Sequence, residues 1–394
     1  LEKTHKRQDP LASFLLGIFF INLLAPKAGI KIGNLPLTVG YLLLFLCILI
    51  CLLTQKILVS KESLKLFFCW VPFQLYTLVE LIRNHPLDNG YFFSFLLNFF
   101  IFPFVFYVLF DEKIRQIDLE KLERGILKSV LLLSGFGIAS FTTKLFLDFF
   151  LEIPGITINF SDAGIVQEEK FIDRGGVFKL ISTYGNGNLF GICLLFFLPL
   201  YLAKEKSFIK RFIVKTALIL TLSRTIWVGL ILVECLTIFK KRKAKAFIFG
   251  MLSLLQIFIA NHLMMNVQET KEFLNDSSFG GRDTQLKAFF QMPIFGTGGF
   301  DGIYEMVYLG IIENFGLMGL ILFLFAAFFP ILKLKQKSSF QRHLSHGIML
   351  YGFICLSDGA ILLIPVMFFY FFITSLIVAT KETNQAILEL RTPL

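Results

Sequence analysis

Apolar residues in this chain fall in nearly unbroken blocks, and short charged stretches divide the blocks. Each block runs to about 15–25 residues, close to the length that crosses a bilayer as an α-helix. Stretches such as Leu42–Leu53 and Tyr91–Phe110 are apolar on nearly every face, whereas a transmembrane barrel would alternate apolar and polar residues. The pattern predicts spans near 11–25, 35–54, 66–82, 91–110, 126–150, 184–203, 212–222, 226–239, 246–265, 314–332, 344–358 and 363–380. The expected fold is all-α: a polytopic integral membrane protein of about 12 transmembrane helices, with residues 1–394 as a single membrane domain. Residues 212–239 also read as one long span.

Composition narrows the class further. Of 394 residues, 56% are apolar, 50 are Phe and 17% are charged, and the mean hydropathy is +0.73, against about 25% charged residues in a soluble domain. A soluble enzyme, a secreted disulfide scaffold and a disordered chain are excluded. The six cysteines lie inside apolar runs without CxxC spacing, so they read as small apolar residues and no metal site is expected.

The net charge of +10 would suggest a nucleic-acid partner in a soluble protein; its distribution gives it another meaning. The basic stretch Lys3-Thr4-His5-Lys6-Arg7 precedes the first span without a cleavage signature and reads as a cytoplasmic anchor. With both termini cytoplasmic, the inner segments hold 27 of the 38 Lys and Arg residues, the bias that orients membrane proteins. Lys240, Lys241, Arg242, Lys243 and Lys245 form the densest cluster, a stop-transfer anchor against anionic lipid. The partner implied by charge is the bilayer, and no nucleic acid is expected.

Two loops, 151–183 and 266–313, fall on the outer side and exceed what a hairpin needs, and long loops tend to carry function. The second is expected to hold short amphipathic helices. No internal repeat suggests the inverted halves of a transporter, and no P-loop is present.

Three outer-side arginines stand in compact motifs: Arg174 in Asp173-Arg174-Gly175-Gly176, Arg224 in Ser223-Arg224-Thr225-Ile226-Trp227, and Arg282 in Gly280-Gly281-Arg282-Asp283. A guanidinium donates paired hydrogen bonds to phosphate and stays charged at any working pH. Taken singly, each also reads as a solvated or interfacial charge, Arg224 snorkelling beside Trp227. The first loop closes on Tyr184-Gly185-Asn186-Gly187-Asn188, and the second continues through Pro293-Ile294-Phe295-Gly296-Thr297-Gly298-Gly299, whose glycines free backbone amides to approach a ligand or simply make a turn. Asp301 and Glu305 follow, flanking Tyr304. Four apart, the two acids would stack if this stretch were helical, with general-base work or organisation of a phosphate site as their possible chemistry.

In this order the motifs resemble the O-antigen polymerase (Wzy-type) and O-antigen ligase superfamily. The likeness covers about residues 174–325: the Arg174 loop leading to Tyr184–Asn188, the Ser223–Trp227 hairpin, the Arg282 stretch running to Gly298, and Gly316-Leu317-Met318-Gly319-Leu320. Ligases of the family tend to carry a His-Asn pair before an acid. Here Glu305-Met306 occupies that register with Asn314 at the acid, and no histidine falls between His262 and His343. The resemblance to polymerases is the better one.

It implies a membrane-embedded glycosyltransferase in the bacterial cytoplasmic membrane, multi-pass and without cofactor or metal. Such an enzyme joins undecaprenyl-pyrophosphate-linked repeat units into O-antigen or capsular polysaccharide at the outer face. Donor and acceptor would both be lipid-linked glycans, and a chain-length regulator and a flippase would be natural partners. On this reading Arg174, Arg224 and Arg282 hold the pyrophosphate, and Arg282 also belongs to the catalytic set. Glu305 or Asp301 deprotonates the acceptor hydroxyl, while Tyr184, Asn186, Asn188, Trp227, Gly296, Gly298 and Tyr304 shape the glycan site. A ligase transferring the glycan to lipid A core or another acceptor is the alternative within the class. A non-enzymatic polysaccharide flippase is the alternative outside it.

Overall fold

The computed structural model describes residues 9–32, 35–54, 57–84, 89–162, 178–240, 293–296, 300, 302–303, 305–333 and 338–389. Arg174, Arg282, Gly298, Asp301, Tyr304 and the span expected at 246–265 lie outside the described residues, as does the Arg282 stretch expected to be amphipathic.

The described chain is helical apart from one hairpin. In order come α1 (Pro10–Leu24), the antiparallel pair β1 (Gly29–Ile32) and β2 (Leu35–Thr38), α2 (Val39–Thr54), α3 (Lys61–Asn84), α4 (Asn89–Leu96), α5 (Asp111–Arg115) and α6 (Leu119–Leu147). Then follow α7 (Gly187–Lys204), α8 (Phe208–Ile219), α9 (Arg224–Lys240), α10 (Val307–Lys333), α11 (Ser339–Ile354) and α12 (Val366–Glu389). Among the described residues, five helical stretches are long and apolar enough to cross a membrane: Lys61–Arg83, Gly90–Leu109, Leu119–Leu147, Gly187–Lys204 and Val307–Phe328. α1, α2 and the start of α12 are apolar but shorter. Large apolar side chains on α2, α3 and α6 point outward, among them Leu53, Ile82 and Phe146, as a lipid-facing surface requires and water would penalise.

α7 forms the centre. It packs along α11 and touches α6, α9 and α12, and its residues from Leu189 to Leu202 are buried all round. A helix apolar on every face has no preferred outward side, so it suits an interior position. The approach to α11 is close because position 347 is glycine: a Cβ there would collide with the Phe196 carbonyl. Around this centre aromatic rings fill the core, with Phe19, Phe197, Phe369 and Phe372 in mutual edge and stacked contact.

Several sequence expectations shift. The span expected from residue 35 begins at Val39, because Leu35–Thr38 pairs with β1. Of the stretch expected to stack Asp301 on Glu305, the described residues Gly302, Ile303 and Glu305 are not helical: Gly302 has φ +111° and helix begins only at Val307. The span expected from 314 therefore starts two turns earlier. It is also broken, since Gly316 sits at φ 68° inside α10, a conformation that glycine adopts without penalty. Lys215, grouped with the inner loop cations, lies within α8 and is buried, its Nζ 2.5 Å from the buried Glu234 carboxylate on α9. An ion pair lets both helices keep a charge in an apolar setting.

The α10 break is filled by the motif expected to form a glycine-rich turn. Leu317 and Met318 donate their backbone N–H groups to the carbonyls of Pro293 and Ile294 at 2.9 and 3.2 Å, and the Tyr76 hydroxyl donates to the Phe315 carbonyl at 2.8 Å. Backbone groups freed by a break need such partners, most of all where water is scarce. Gly296 fits against the Asn314 carbonyl with the buried Glu80 carboxylate beside it, leaving no room for a Cβ.

Candidate functional site

At one end of α7 three loops meet. The residues before the helix bring Lys179 to Tyr184, the turn between α8 and α9 brings Thr221 to Ser223, and the loop from Cys355 to Pro365 joins α11 to α12. Their junction is built locally. Gly185 takes φ 64°, reversing the chain into Asn186, which caps α7: its Oδ1 accepts from the N–H groups of Asn188 and Leu189 at 2.8 and 3.2 Å, the usual Asn service at a helix start. Gly187 passes so near the Leu180 carbonyl that a Cβ would clash. The Leu180 N–H in turn donates to the Leu220 carbonyl at 2.9 Å.

The Cys355–Pro365 loop is held from every side. Tyr351 Oη donates to the Gly359 carbonyl at 2.9 Å. Asn98, on a π-helical turn, donates to the Ile361 carbonyl at 3.0 Å, and Thr225 and Ser357 share a hydroxyl bond of 2.8 Å. Backbone bonds run from Gly359 N–H to the Glu305 carbonyl and from Val307 N–H to the Cys355 carbonyl, at 3.0 and 3.1 Å. They tie the segment before α10 to this loop. Ser182, Leu222 and Ala360, one in each of the three loops, adopt positive φ values of 49°, 49° and 45°. Non-glycine residues occupy that region at a cost that only a well-determined surrounding sustains, and such residues concentrate at functional sites.

A cleft of about 170 Å³ opens beside this junction, between the Cys355–Pro365 loop, the start of α7, the segment before α10 and α4, lined by Tyr91, Asn186, Asn188, Leu189, Ile303, Glu305, Asp358, Ala360, Leu362 and Leu363. Its walls divide by chemistry: two carboxylates and two carboxamides, against aliphatic side chains and the Tyr91 ring. Asp358 is 4% exposed, and its Oδ2 accepts from Asn188 Nδ2 at 2.7 Å. Asn188 Oδ1 accepts from Lys179 Nζ at 3.4 Å, and Lys179 is itself buried. An ammonium, a carboxamide and a carboxylate thus form one hydrogen-bonded chain, its Asn188 and Asp358 members lining the cleft. Glu305 is partly exposed. Asn314 steadies the segment before it by donating to the Gly302 carbonyl at 2.8 Å.

Of the residues singled out from sequence, the cleft unites Asn186, Asn188 and Glu305. Tyr184 does not line it; the phenol is buried and donates to the Leu23 carbonyl at 2.9 Å, so it shapes the loop from beneath. Trp227 likewise points inward, its indole N–H donating to the Ile219 carbonyl at 2.9 Å and closing the α8–α9 turn. Arg224 opens α9, half-buried and next to Thr225, whose bond to Ser357 brings this helix end to the residue beside Asp358. Gly296 belongs to the α10 break.

Asp358 and Lys179 escaped the sequence reading. A signal existed: Asp358 is the only Asp, Glu, Lys or Arg between Arg342 and Lys381, an isolated acid between two apolar runs. Among the described residues no group of three or more His, Cys, Asp or Glu side chains could hold a metal ion. No family model, no curated protein and no solved structure matches the chain.

Proposed function

We propose that the protein is a glycosyltransferase that polymerises lipid-pyrophosphate-linked oligosaccharides in the bacterial cytoplasmic membrane. It would work on the outer face, with about twelve spans and both termini in the cytoplasm. The observation that carries the reading is the cleft, where Asn186 and Asn188 from one motif of the resemblance and Glu305, at the register of the ligases' His-Asn pair, line one cavity together with Asp358. Carboxylates and carboxamides beside an aromatic ring are the groups that hydrogen-bond sugar hydroxyls and cover a sugar's apolar face. A helix-rich body with an apolar exterior suits a substrate whose anchor stays in the bilayer.

In the reaction an acceptor hydroxyl attacks the anomeric carbon, the bond from that carbon to the pyrophosphate oxygen breaks, and the lipid pyrophosphate leaves with the electron pair. A cleft carboxylate takes the hydroxyl proton. Charge grows on the pyrophosphate as the bond breaks, so a fixed guanidinium near it stabilises the transition state; Arg224, beside the cleft wall, has that role together with Arg174 and Arg282.

Purified protein reconstituted with lipid-linked repeat units alone is the test. Polymer on a polysaccharide gel is the expected result, and Arg224→Ala should insert normally yet make no chain beyond a single repeat. Transfer to a different acceptor only would replace polymerase with ligase, and repeats that merely cross the bilayer would replace it with a flippase.

A further inference from the structure

The geometry points to Asp358 as the carboxylate that takes the acceptor proton, with Asn188 and Lys179 as its positioning residues. The inference rests on the polymerase reading and names a residue that none of its motifs contains. Two carboxylates line the cleft, and they are held differently. Glu305 sits partly exposed on a non-helical segment, with a long side chain. Asp358 has a shorter side chain, is almost wholly buried, and follows directly on α11, to which its backbone N–H is tied through the Ile354 carbonyl at 2.9 Å. The Thr225–Ser357 and Tyr351–Gly359 bonds fix the residues on either side of it.

The Lys179–Asn188–Asp358 chain then sets orientation. Lys179 donates to the carboxamide oxygen of Asn188, which fixes the amide so that its nitrogen faces the Asp358 carboxylate. A proton acceptor works best when the supporting residues lock its position before substrate arrives. The Asn188 amide donates to the carboxylate at 2.7 Å, and a hydrogen bond to the charged form of a carboxyl favours that form. Among the described residues the other titratable or charged groups about it are Glu305 and Tyr91, which line the same cleft, Tyr351 on α11 and Cys355 just after it, and Arg224 at the start of α9, next to the Thr225 that bonds Ser357.

In the step, the acceptor O–H gives its proton to Asp358 as its oxygen bonds to the anomeric carbon. The lipid pyrophosphate carries away the electron pair of the broken C–O bond, and the proton later passes to water. Glu305 binds a neighbouring hydroxyl of the same sugar and sets its angle.

The experiment compares wild type, Asp358→Asn, Glu305→Gln and Asn188→Ala in liposomes with lipid-linked repeats, measuring kcat and KM across pH. Asp358→Asn should lose at least ~100-fold in kcat with KM little changed, the scale of a lost general base; Glu305→Gln should act mainly on KM. Removing the Asn188 amide makes the carboxylate easier to protonate, so Asn188→Ala should move the acidic limb of the rate profile to higher pH. Should Asp358→Asn fail to insert, this limb decides: an unmoved limb with a uniformly lower rate means a structural role and overturns the assignment. Asp358→Asn within about threefold of wild type, beside an active wild type, overturns the assignment alone. A wild type that makes no polymer overturns the polymerase reading and the assignment together.

Discussion

Two buried aspartates, at different places in the fold, show how the same side chain serves opposite ends. Asp111 begins α5 and accepts from the Ser60 N–H at 2.6 Å, from Ser63 Oγ at 2.5 Å and from Arg115 Nη2 at 2.7 Å. Both its oxygens are committed to joining the start of α3 to α5. Asp358 is as deeply buried, but its side chain lines a cleft and its partner Asn188 lines the same cleft. The first arrangement ties chain segments together. The second presents a fixed carboxylate to an open space, which is what chemistry on a bound molecule needs.

The comparison breaks most sharply by mutation of each aspartate in turn. Asp111→Ala strands the Arg115 guanidinium and two further donors and should destabilise the fold by about 3–5 kcal/mol, read as a lower thermal midpoint in detergent. Asp358→Asn keeps the shape of the side chain and should cost only about 1–2 kcal/mol while abolishing polymer. Equal losses of stability from the two would erase the distinction. A structural charge can also be tested at Lys215 and Glu234: Lys215→Met alone should cost about 3 kcal/mol by leaving a buried carboxylate, and Lys215→Met with Glu234→Leu should recover most of it. A double variant as unstable as the single one would show that the pair does more than neutralise itself.

A smaller effect is expected where packing alone is at stake. Gly347→Ala should push α11 from α7 and cost about 1–3 kcal/mol. Because α11 leads directly into Asp358, its activity should fall further than its thermal midpoint implies, and a variant active in proportion to its stability would uncouple the two. The smallest effect concerns Asp9, which caps α1 ahead of the apolar block. Its hydrogen bond from Lys113 Nζ, 2.7 Å long, holds the carboxyl below its ordinary 3.8. A depressed pKa adds stability above the unfolded-state value, and this is lost as pH falls through the folded one. Lys113→Met should therefore lower the thermal midpoint slightly near neutral pH, by the equivalent of a few tenths of a kcal/mol for a partly exposed pair. The difference from wild type should vanish in strong acid.

Much of the architecture was legible because hydropathy acts along the chain. A block of about 20 apolar residues has few options beyond a helix in lipid or in the core, and the helical regions around 11–25, 66–82 and 363–380 appear close to where the pattern puts them. The break in α10 was not legible. Gly316-Leu317-Met318-Gly319 is as apolar as its surroundings, and only the Pro293–Ile294 carbonyls arriving from elsewhere satisfy the N–H groups that the break exposes. At the site, Asn186, Asn188 and Glu305 stood out as polar residues in motifs, whereas Tyr184 and Trp227 looked equally suited to a glycan surface and instead close loops from within. An aromatic ring with one polar atom reads alike from sequence in either role, since its direction depends on what packs against it.

By itself the sequence determined the class: helices rich in Phe and Leu, too apolar for water. Hydropathy and charge are properties of residues and survive without knowledge of contacts. Only the tertiary structure decided that Lys179, Asn188 and Asp358, the last two 170 residues apart, form one chain at the edge of a cleft. A hydrogen bond depends on distances of a few tenths of an ångström, and those are set where α7 and α11 pack through Gly347.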